Sequence, residues 1–414
     1  MTVAPTPTVD LAQVQRRTLR VLVAAQAFSG AGLAAGVTVG ALLAQDMLDS
    51  TSLAGLPGAL ATGGSALAAV AVGRISQARG RGPGLVAGYL TGALGSVGVI
   101  AAAVAGNPAL MFFALFVYGA GTSTNLQARY AGADLAGPAH RARAVSTVLV
   151  ATTLGGVVGP NLTAPTGELA HALGIPHLAG PFLLAAVAYA MAAIVLAVWL
   201  RPDPLLLART LDAERAAEAP DDPGRPATRR RGAGVLVGVL VMVLTQFVMV
   251  AIMTMTPVHM DQHGHGTAAA GLVIAIHIGA MYLPSPVTGR LVDRYGRHAI
   301  AAVSGLTLLA AGIVAAIAPA DSVAQLAFAL ALLGVGWNLG LVTGTAIIAD
   351  AVPLATRART QGVVDLAVAL AGAAGGTASG LVVAAVGYPL LAIGGGILAL
   401  AIMPAVLVAR GAPR

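Results

Sequence analysis

Gly289-Arg290-Leu291-Val292-Asp293-Arg294-Tyr295-Gly296-Arg297 recurs in weaker form as Gly73-Arg74-Ile75-Ser76-Gln77-Ala78-Arg79-Gly80-Arg81, an offset of 289 − 73 = 216 residues. A second pattern repeats at the same offset: Ala133-Asp134 with Arg141-Ala142-Arg143, and Ala349-Asp350 with Arg357-Ala358-Arg359. Two unrelated patterns sharing one offset make the chain a pair of homologous halves.

The segments flanking these copies are apolar. Over 414 residues, 9% are charged and 57% hydrophobic, and the mean hydropathy is +0.86, well outside the soluble range. Neither Gly82–Ala128 nor Gly232–Met260 contains a charged residue, and each exceeds the ~20 residues that span a bilayer. The apolar run nearest the N-terminus follows Arg16, Arg17 and Arg20 and ends about Ala44. It is too long for a signal peptide, and Gly32, Gly36 and Gly40 give it a small-residue face. Eleven more spans are expected at about 53–72, 85–104, 108–134, 144–169, 181–200, 234–258, 268–288, 299–319, 322–349, 360–385 and 388–409. The predicted fold is an all-α polytopic membrane protein with 12 transmembrane helices in two pseudo-symmetric six-helix bundles, residues 1–200 and 232–414. Residues 1–15 read as a disordered tail. Residues 201–231 read as a cytoplasmic linker, because 13 of 31 positions are charged and five prolines work against a long helix.

Arginine placement sets an orientation. Arg74, Arg79, Arg81, Arg141, Arg143, the linker, Arg290, Arg294, Arg297, Arg357, Arg359 and both termini fall on one side, and the opposite loops hold none. The positive-inside rule then makes both termini and the linker cytoplasmic, in a bacterial inner membrane. The outer loops carry Asp46, Asp49, Glu168, His171, His177, His259, Asp261, His263, His265 and Asp321, oxygen and imidazole groups that suit an arriving cation. All 23 basic residues are arginine, and cysteine is absent, which excludes disulfides and thiolate ligands. No nucleotide loop, nucleophile elbow or carboxylate pair points to an enzyme. Arg229-Arg230-Arg231 reads as a membrane-flanking anchor rather than a nucleic-acid site. The expected surroundings are a lipid bilayer and a small cation or small-molecule substrate, with no cofactor, for a monomer.

With the nonapeptides between spans 2 and 3 and between 8 and 9, the chain resembles the major facilitator superfamily, whose signature there is G-x-x-x-D-R-x-G-R. The resemblance implies alternating-access transport. It also implies that Asp293, Arg294 and Arg297 form a conformational latch, with a weaker one where Gln77 replaces the acid. A superfamily arginine in span 4 is often tied to proton coupling, which singles out Arg129. Asp365 in span 11 is the other buried-charge candidate. A structural ion pair is the alternative for Arg129, since a lipid-facing arginine at mid-bilayer costs about 2.5–3.5 kcal/mol; a solvated helix end is the alternative for Asp365. Asn125, Asn161, Asn338 and Gln26 line a cavity or pair helices. Gly155-x-x-x-Gly159-Pro160 resembles the start of an antiporter motif but ends Thr163-Ala164 instead of Gly-Gly. Gly372, Gly376 and Gly380 stand in the equivalent place in span 11, and both small faces would let the halves rock.

Six of the eleven methionines lie between Met242 and Met281. Met242, Met249, Met253 and Met260 are spaced 7, 4 and 7, sharing one helical face with Gln246, and His277 and Met281 are four apart in span 8. Thioether and imidazole together favour Cu(I). With span 7 ending near Val258 and span 8 beginning near Ala268, 1.5 Å per residue puts Met253 about 8 Å deep, Met249 and His277 about 14 Å and Met281 about 20 Å. The MxxxM and HxxxM pairs resemble those of the CcoA-type copper importers, which makes copper an expected substrate and Met249, Met253, His277 and Met281 its ligands. The alternatives are core-filling methionines with a hydrogen-bonded structural histidine, and a proton-coupled transporter, efflux or uptake, of an organic molecule such as a drug or a flavin. A metal sensor would call for a soluble sensory domain, and none is seen.

Overall fold

A computed structural model describes residues 10–48, 56–218, 228–319 and 321–411, and among these the regular structure is entirely helical. The tail to residue 9, Asp49 and linker residues 219–227 lie outside the described residues. The first half comprises α1 (Leu11–Leu48), α2 (Leu56–Arg79), α3 (Arg81–Val104), α4 (Pro108–Ala133), α5 (Arg141–Asn161), α6 (Thr163–Ala172) and α7 (Gly180–Trp199). After α8 (Pro204–Glu218) come α9 (Thr228–Gln262), α10 (Thr267–Tyr282), α11 (Ser285–Tyr295), α12 (Arg297–Ile317), α13 (Val323–Ala351), α14 (Arg357–Val386), α15 (Tyr388–Ala399) and α16 (Ile402–Gly411). Ten spans among the described residues are long and apolar enough to cross a membrane, and α1 and α5 occupy the two remaining places of the expected twelve.

The expected spans are interrupted where the sequence carries prolines. Span 8 breaks between Tyr282 and Ser285, at Pro284 with Pro286 following, because proline lacks the N–H that the helical ladder needs. The linker also departs from expectation: a 15-residue helix, α8, fits between its prolines. Pro204 sits at the helix start, where a missing N–H is harmless, and Asp203 Oδ1 accepts the backbone N–H groups of Leu205 (3.0 Å) and Leu206 (3.2 Å) as an N-cap.

Each half has its own apolar centre. In the first, Tyr89 stacks on Tyr189 (5.9 Å between centroids) and Tyr118 meets Phe182 edge-on (5.6 Å), among Leu22, Leu85 and Leu115. The second gathers Met242, Met249, Ile252, Leu308, Leu330 and Trp337.

The small faces of α5 and α14 do not lie between the halves, contrary to the expectation that they let the halves rock. Gly155 packs on α1, where an added Cβ would lie 2.3 Å from Ala31 N, and Gly372 packs on Gln246 of α9. They seat each helix inside its own bundle. Close approach between halves occurs instead at the arginine-rich end: a Cβ on Gly73 would lie 2.8 Å from Ala358 O, and one on Gly289 would lie 2.9 Å from Ala142 O. Gly80 and Gly296, the eighth residues of the two nonapeptides, turn the chain with φ of 101° and 89°, a region that favours glycine.

Candidate functional site

The two nonapeptides cap helices of the opposite half. Asp293, at the end of α11, accepts the backbone N–H groups of Ala142 (3.2 Å) and Arg143 (3.1 Å) at the start of α5, together with Arg143 Nε (3.2 Å). A carboxylate on free N–H groups at a helix N-terminus satisfies donors and complements the helix dipole. Gln77 does the same in mirror position. Its Oε1 accepts from Ala358 N (2.8 Å) and Arg359 N (3.3 Å), while its Nε2 donates to Ala355 O (2.7 Å) and Leu354 O (3.4 Å). The Gln77 side therefore also bridges the two halves, its amide supplying donors that a carboxylate lacks. Arg294 is outside the latch: it is exposed, with its guanidinium 5.3 Å from the ring of Tyr295. Arg297 is inside, donating to Pro138 O across the interface (2.8 Å) and pairing with Asp350.

Behind each cap lies a charge cluster that the 216-residue repeat maps onto the other. Arg81 Nε meets Asp134 Oδ2 at 2.7 Å, with Arg357 of the opposite half 3.9 Å from Oδ1. Their counterparts are Arg297 and Asp350, joined by Arg141 of the opposite half. The linker helix adds a strap: Arg209 donates to Gln77 O (2.8 Å) and Leu354 O (3.3 Å), touching both halves, and Asp203 Oδ2 accepts Gly82 N (2.7 Å).

Deeper in the interface, Arg129 of α4 is fully buried. Its Nη2 lies 2.7 Å from Asp365 Oδ1 of α14, its Nε donates to Thr345 Oγ1 of α13 (3.0 Å), and its Nη1 donates to Leu126 O. Both charges thus face protein, neither snorkelling nor standing at a solvated helix end. Tyr130 completes the group, accepting from Arg129 Nη2 (2.9 Å) and donating to Asp365 Oδ1 (3.0 Å). Asp365 Oδ2 is buried without a hydrogen-bond partner. Thr345 is the repeat counterpart of Arg129 (129 + 216 = 345), so the pair sits where equivalent points of the two halves meet.

The second half also holds an aromatic pair with a polar partner. Trp337 meets Tyr282 edge-on at 5.7 Å, and Trp337 Nε1 donates to Gln246 Oε1 (2.8 Å). In the first half, Gln26, Ser29, Tyr89, Asn125 and Thr152 form a closed network; Tyr89 Oη donates to Gln26 Oε1 at 2.6 Å and Asn125 Nδ2 to Ser29 Oγ at 2.8 Å. Asn338 bridges Met281 O and Ser285 Oγ, both at 2.7 Å. The two networks hold helices together, as sequence reasoning allowed.

The copper candidates lie elsewhere. Met249 and Met281 are buried in the apolar centre of the second half, and Met253 packs against it half-buried. His277 is fully buried; its Nδ1 is 2.8 Å from Leu330 O, and its Nε2 has no hydrogen-bond partner. α10 packs mainly on α13, α9 packs on both α13 and α14, and the two touch each other little, so the face that a ladder between them needs is small. The helix ends, Gln262 and Thr267, also revise the depths to about 14 Å for Met253, 15 Å for His277, 20 Å for Met249 and 21 Å for Met281. His277 is therefore level with Met253, not Met249. Among the described residues no three His, Cys, Asp or Glu side chains converge as a metal site.

Two helical halves, joined at one end by these caps and charge clusters and deeper by a buried ion pair, have the architecture of a membrane carrier. The family model of the Major Facilitator Superfamily matches residues 21–284 and 239–414. The uncharacterized MFS-type transporters YdeG and YddS of Bacillus subtilis are 57% and 53% identical over 399 residues, covering 96% and 95% of this chain and 92% and 91% of theirs. The riboflavin transporter RfnT of Brucella anthropi is 32% identical over 359 residues, 86% of each chain. This chain belongs to the major facilitator superfamily; it is a secondary transporter and not an enzyme. Its fold is shared with the proton:xylose symporter XylE (TM-score 0.76, 16% identity, 97% and 96% coverage) and the human organic anion transporter MFSD10 (0.73, 16%, 95% and 99%).

Proposed function

We propose that the protein carries a small, partly aromatic organic molecule across the bacterial cytoplasmic membrane by alternating access, with Arg129 and Asp365 as its coupling centre and its arginine-rich end in the cytoplasm. The observation that carries this reading is the buried charge pair between the halves. Arg129–Asp365 is the only fully buried charge pair among the described residues that links α4 to α14, and α14 packs on α9, whose Gln246 accepts from Trp337 of the Tyr282–Trp337 pair. Separating the halves at that depth must break the pair, and a buried pair broken on one side loses about 3–5 kcal/mol. A substrate or proton that compensates either charge lowers that barrier, which is what coupling requires. The aromatic pair and its amide suit stacking with edge hydrogen bonds, and the 32% identical relative named as a riboflavin transporter supports a substrate of that kind.

Copper import through Met249, Met253, His277 and Met281 is the second reading. The buried Nε2 of His277 favours it, because a lone ring nitrogen without a hydrogen bond is an available ligand. Uptake by proteoliposomes separates the two: the primary reading expects riboflavin accumulation that stops in Asp365→Asn and survives Met249→Leu and His277→Gln. Copper accumulation abolished by Met249→Leu, without riboflavin uptake, would establish the second reading in its place.

A further inference from the structure

The two latch clusters are alike in sequence, yet only one is wired to the central ion pair. Tyr130 lies between them: the Arg129 guanidinium carbon is 4.2 Å from its ring centroid and that of Arg81 is 5.8 Å. The hydroxyl bonds both members of the central pair, while Arg81 holds Asp134 and donates through Nη2 to Gln361 Oε1 at 2.5 Å. Gln361 stands one helical turn before Asp365 on α14, so helix and ring connect the same two sites in parallel. Every member of this chain is at least 93% buried, which leaves water little part in screening it.

The repeat supplies the contrast. Moving 216 residues, Arg81 and Asp134 become Arg297 and Asp350, and the cluster is kept. Arg129 and Tyr130, however, become Thr345 and Ala346, and Gln361 and Asp365 become Val145 and Leu149. The second latch has neither the ring, the amide nor the acid.

From this juxtaposition we infer that Tyr130 is a positioning residue that couples the Arg129–Asp365 pair to the Arg81–Asp134 latch, and that the Arg297–Asp350 latch opens without such a link. When the central pair parts, Tyr130 loses both polar partners and its ring no longer supports the Arg81 guanidinium. Attraction between a buried cation and an aromatic face is enough to bias a gate. The inference rests on the coupling role proposed above.

Spin labels on cysteines at the exposed positions Ala78 and Arg294, in this cysteine-free chain, report the distance between the two cytoplasmic helix ends. Asp365→Asn removes the acid of the pair, and with it the ion pair, without any substrate. Two double-mutant cycles then compare open-to-closed population ratios, Asp365→Asn with Arg81→Gln and Asp365→Asn with Arg297→Gln. The first cycle should depart from additivity by about threefold or more and the second should be additive. Tyr130→Leu should reduce the first departure to what the Gln361 route alone carries, and Tyr130→Phe, which keeps the ring, should retain more of it. Where Arg81→Gln fails to insert, Arg81→Lys replaces it; where Asp365→Asn fails, Thr345→Val weakens the same pair. Equal coupling to both latches, or coupling that persists undiminished in Tyr130→Leu, overturns the inference. Absence of riboflavin uptake by the parent protein counts against the substrate reading alone, since these cycles use no substrate.

Discussion

Removing one member of the Arg129–Asp365 pair should destabilise the protein, and removing both should not. Asp365→Asn leaves a guanidinium that stays charged, still facing Leu126 O, Tyr130 Oη and Thr345 Oγ1. Arg129→Met leaves a buried carboxylate whose only remaining donor is the Tyr130 hydroxyl and whose Oδ2 already lacks a partner. Within the 3–5 kcal/mol typical of a broken buried pair, the asparagine variant should fall near about 3 and the methionine variant near about 5. For 414 residues, about 2.1 cal/mol/K per residue gives an unfolding entropy near 0.9 kcal/mol/K, so the melting midpoints should drop by about 3–6 °C. The double variant Arg129→Met/Asp365→Leu buries no charge and should melt within about 1 °C of the parent or above it, since apolar replacement of a buried pair is often neutral or stabilising. Thermal melting of all four proteins in one detergent decides. Additive losses in the double variant, or single variants that melt like the parent, would refute the reasoning.

At the Gln77 latch, Gln77→Glu should weaken closure although it moves toward the acidic signature, because the Nε2 donors to Leu354 O and Ala355 O become an oxygen facing carbonyls; the distance between labels at 78 and 294 should lengthen, and unchanged distances would contradict the assignment. Asp293→Asn sets an amide against the N–H groups of Ala142 and Arg143, and should slow transport while substrate affinity, read by equilibrium binding, changes less than about threefold. Single cysteines at 79, 215 and 294 should react with a membrane-impermeant maleimide only from the cytoplasmic side, and reaction from outside at any of them would invert the topology.

The fold was legible because membrane spans announce themselves by composition and because the nonapeptide survives in both halves. Asp293 and Arg297 could be assigned from the repeat, and Arg129 and Asp365 stood out as charges inside apolar runs. Their pairing was not readable: 236 residues separate them, and no local spacing encodes contact between α4 and α14. The cap made by Gln77 was not foreseen, because the signature position was valued for charge, whereas capping a helix needs only an acceptor. The methionine stripe is real as a periodicity, but the same spacing serves a ligand ladder and a buried face against α13, and only the packing separates them. Tyr130 carried a usable signal, an aromatic next to the one buried arginine of α4. Helix α8 carried another, the cap at Asp203 between Pro202 and Pro204.

The most direct measurement is riboflavin uptake by proteoliposomes holding equal amounts of the parent and the Arg129→Met/Asp365→Leu protein. The parent should accumulate riboflavin, and the charge-free variant, folded and inserted normally, should not exceed protein-free vesicles. Undiminished uptake by that variant would contradict a coupling role for the buried pair.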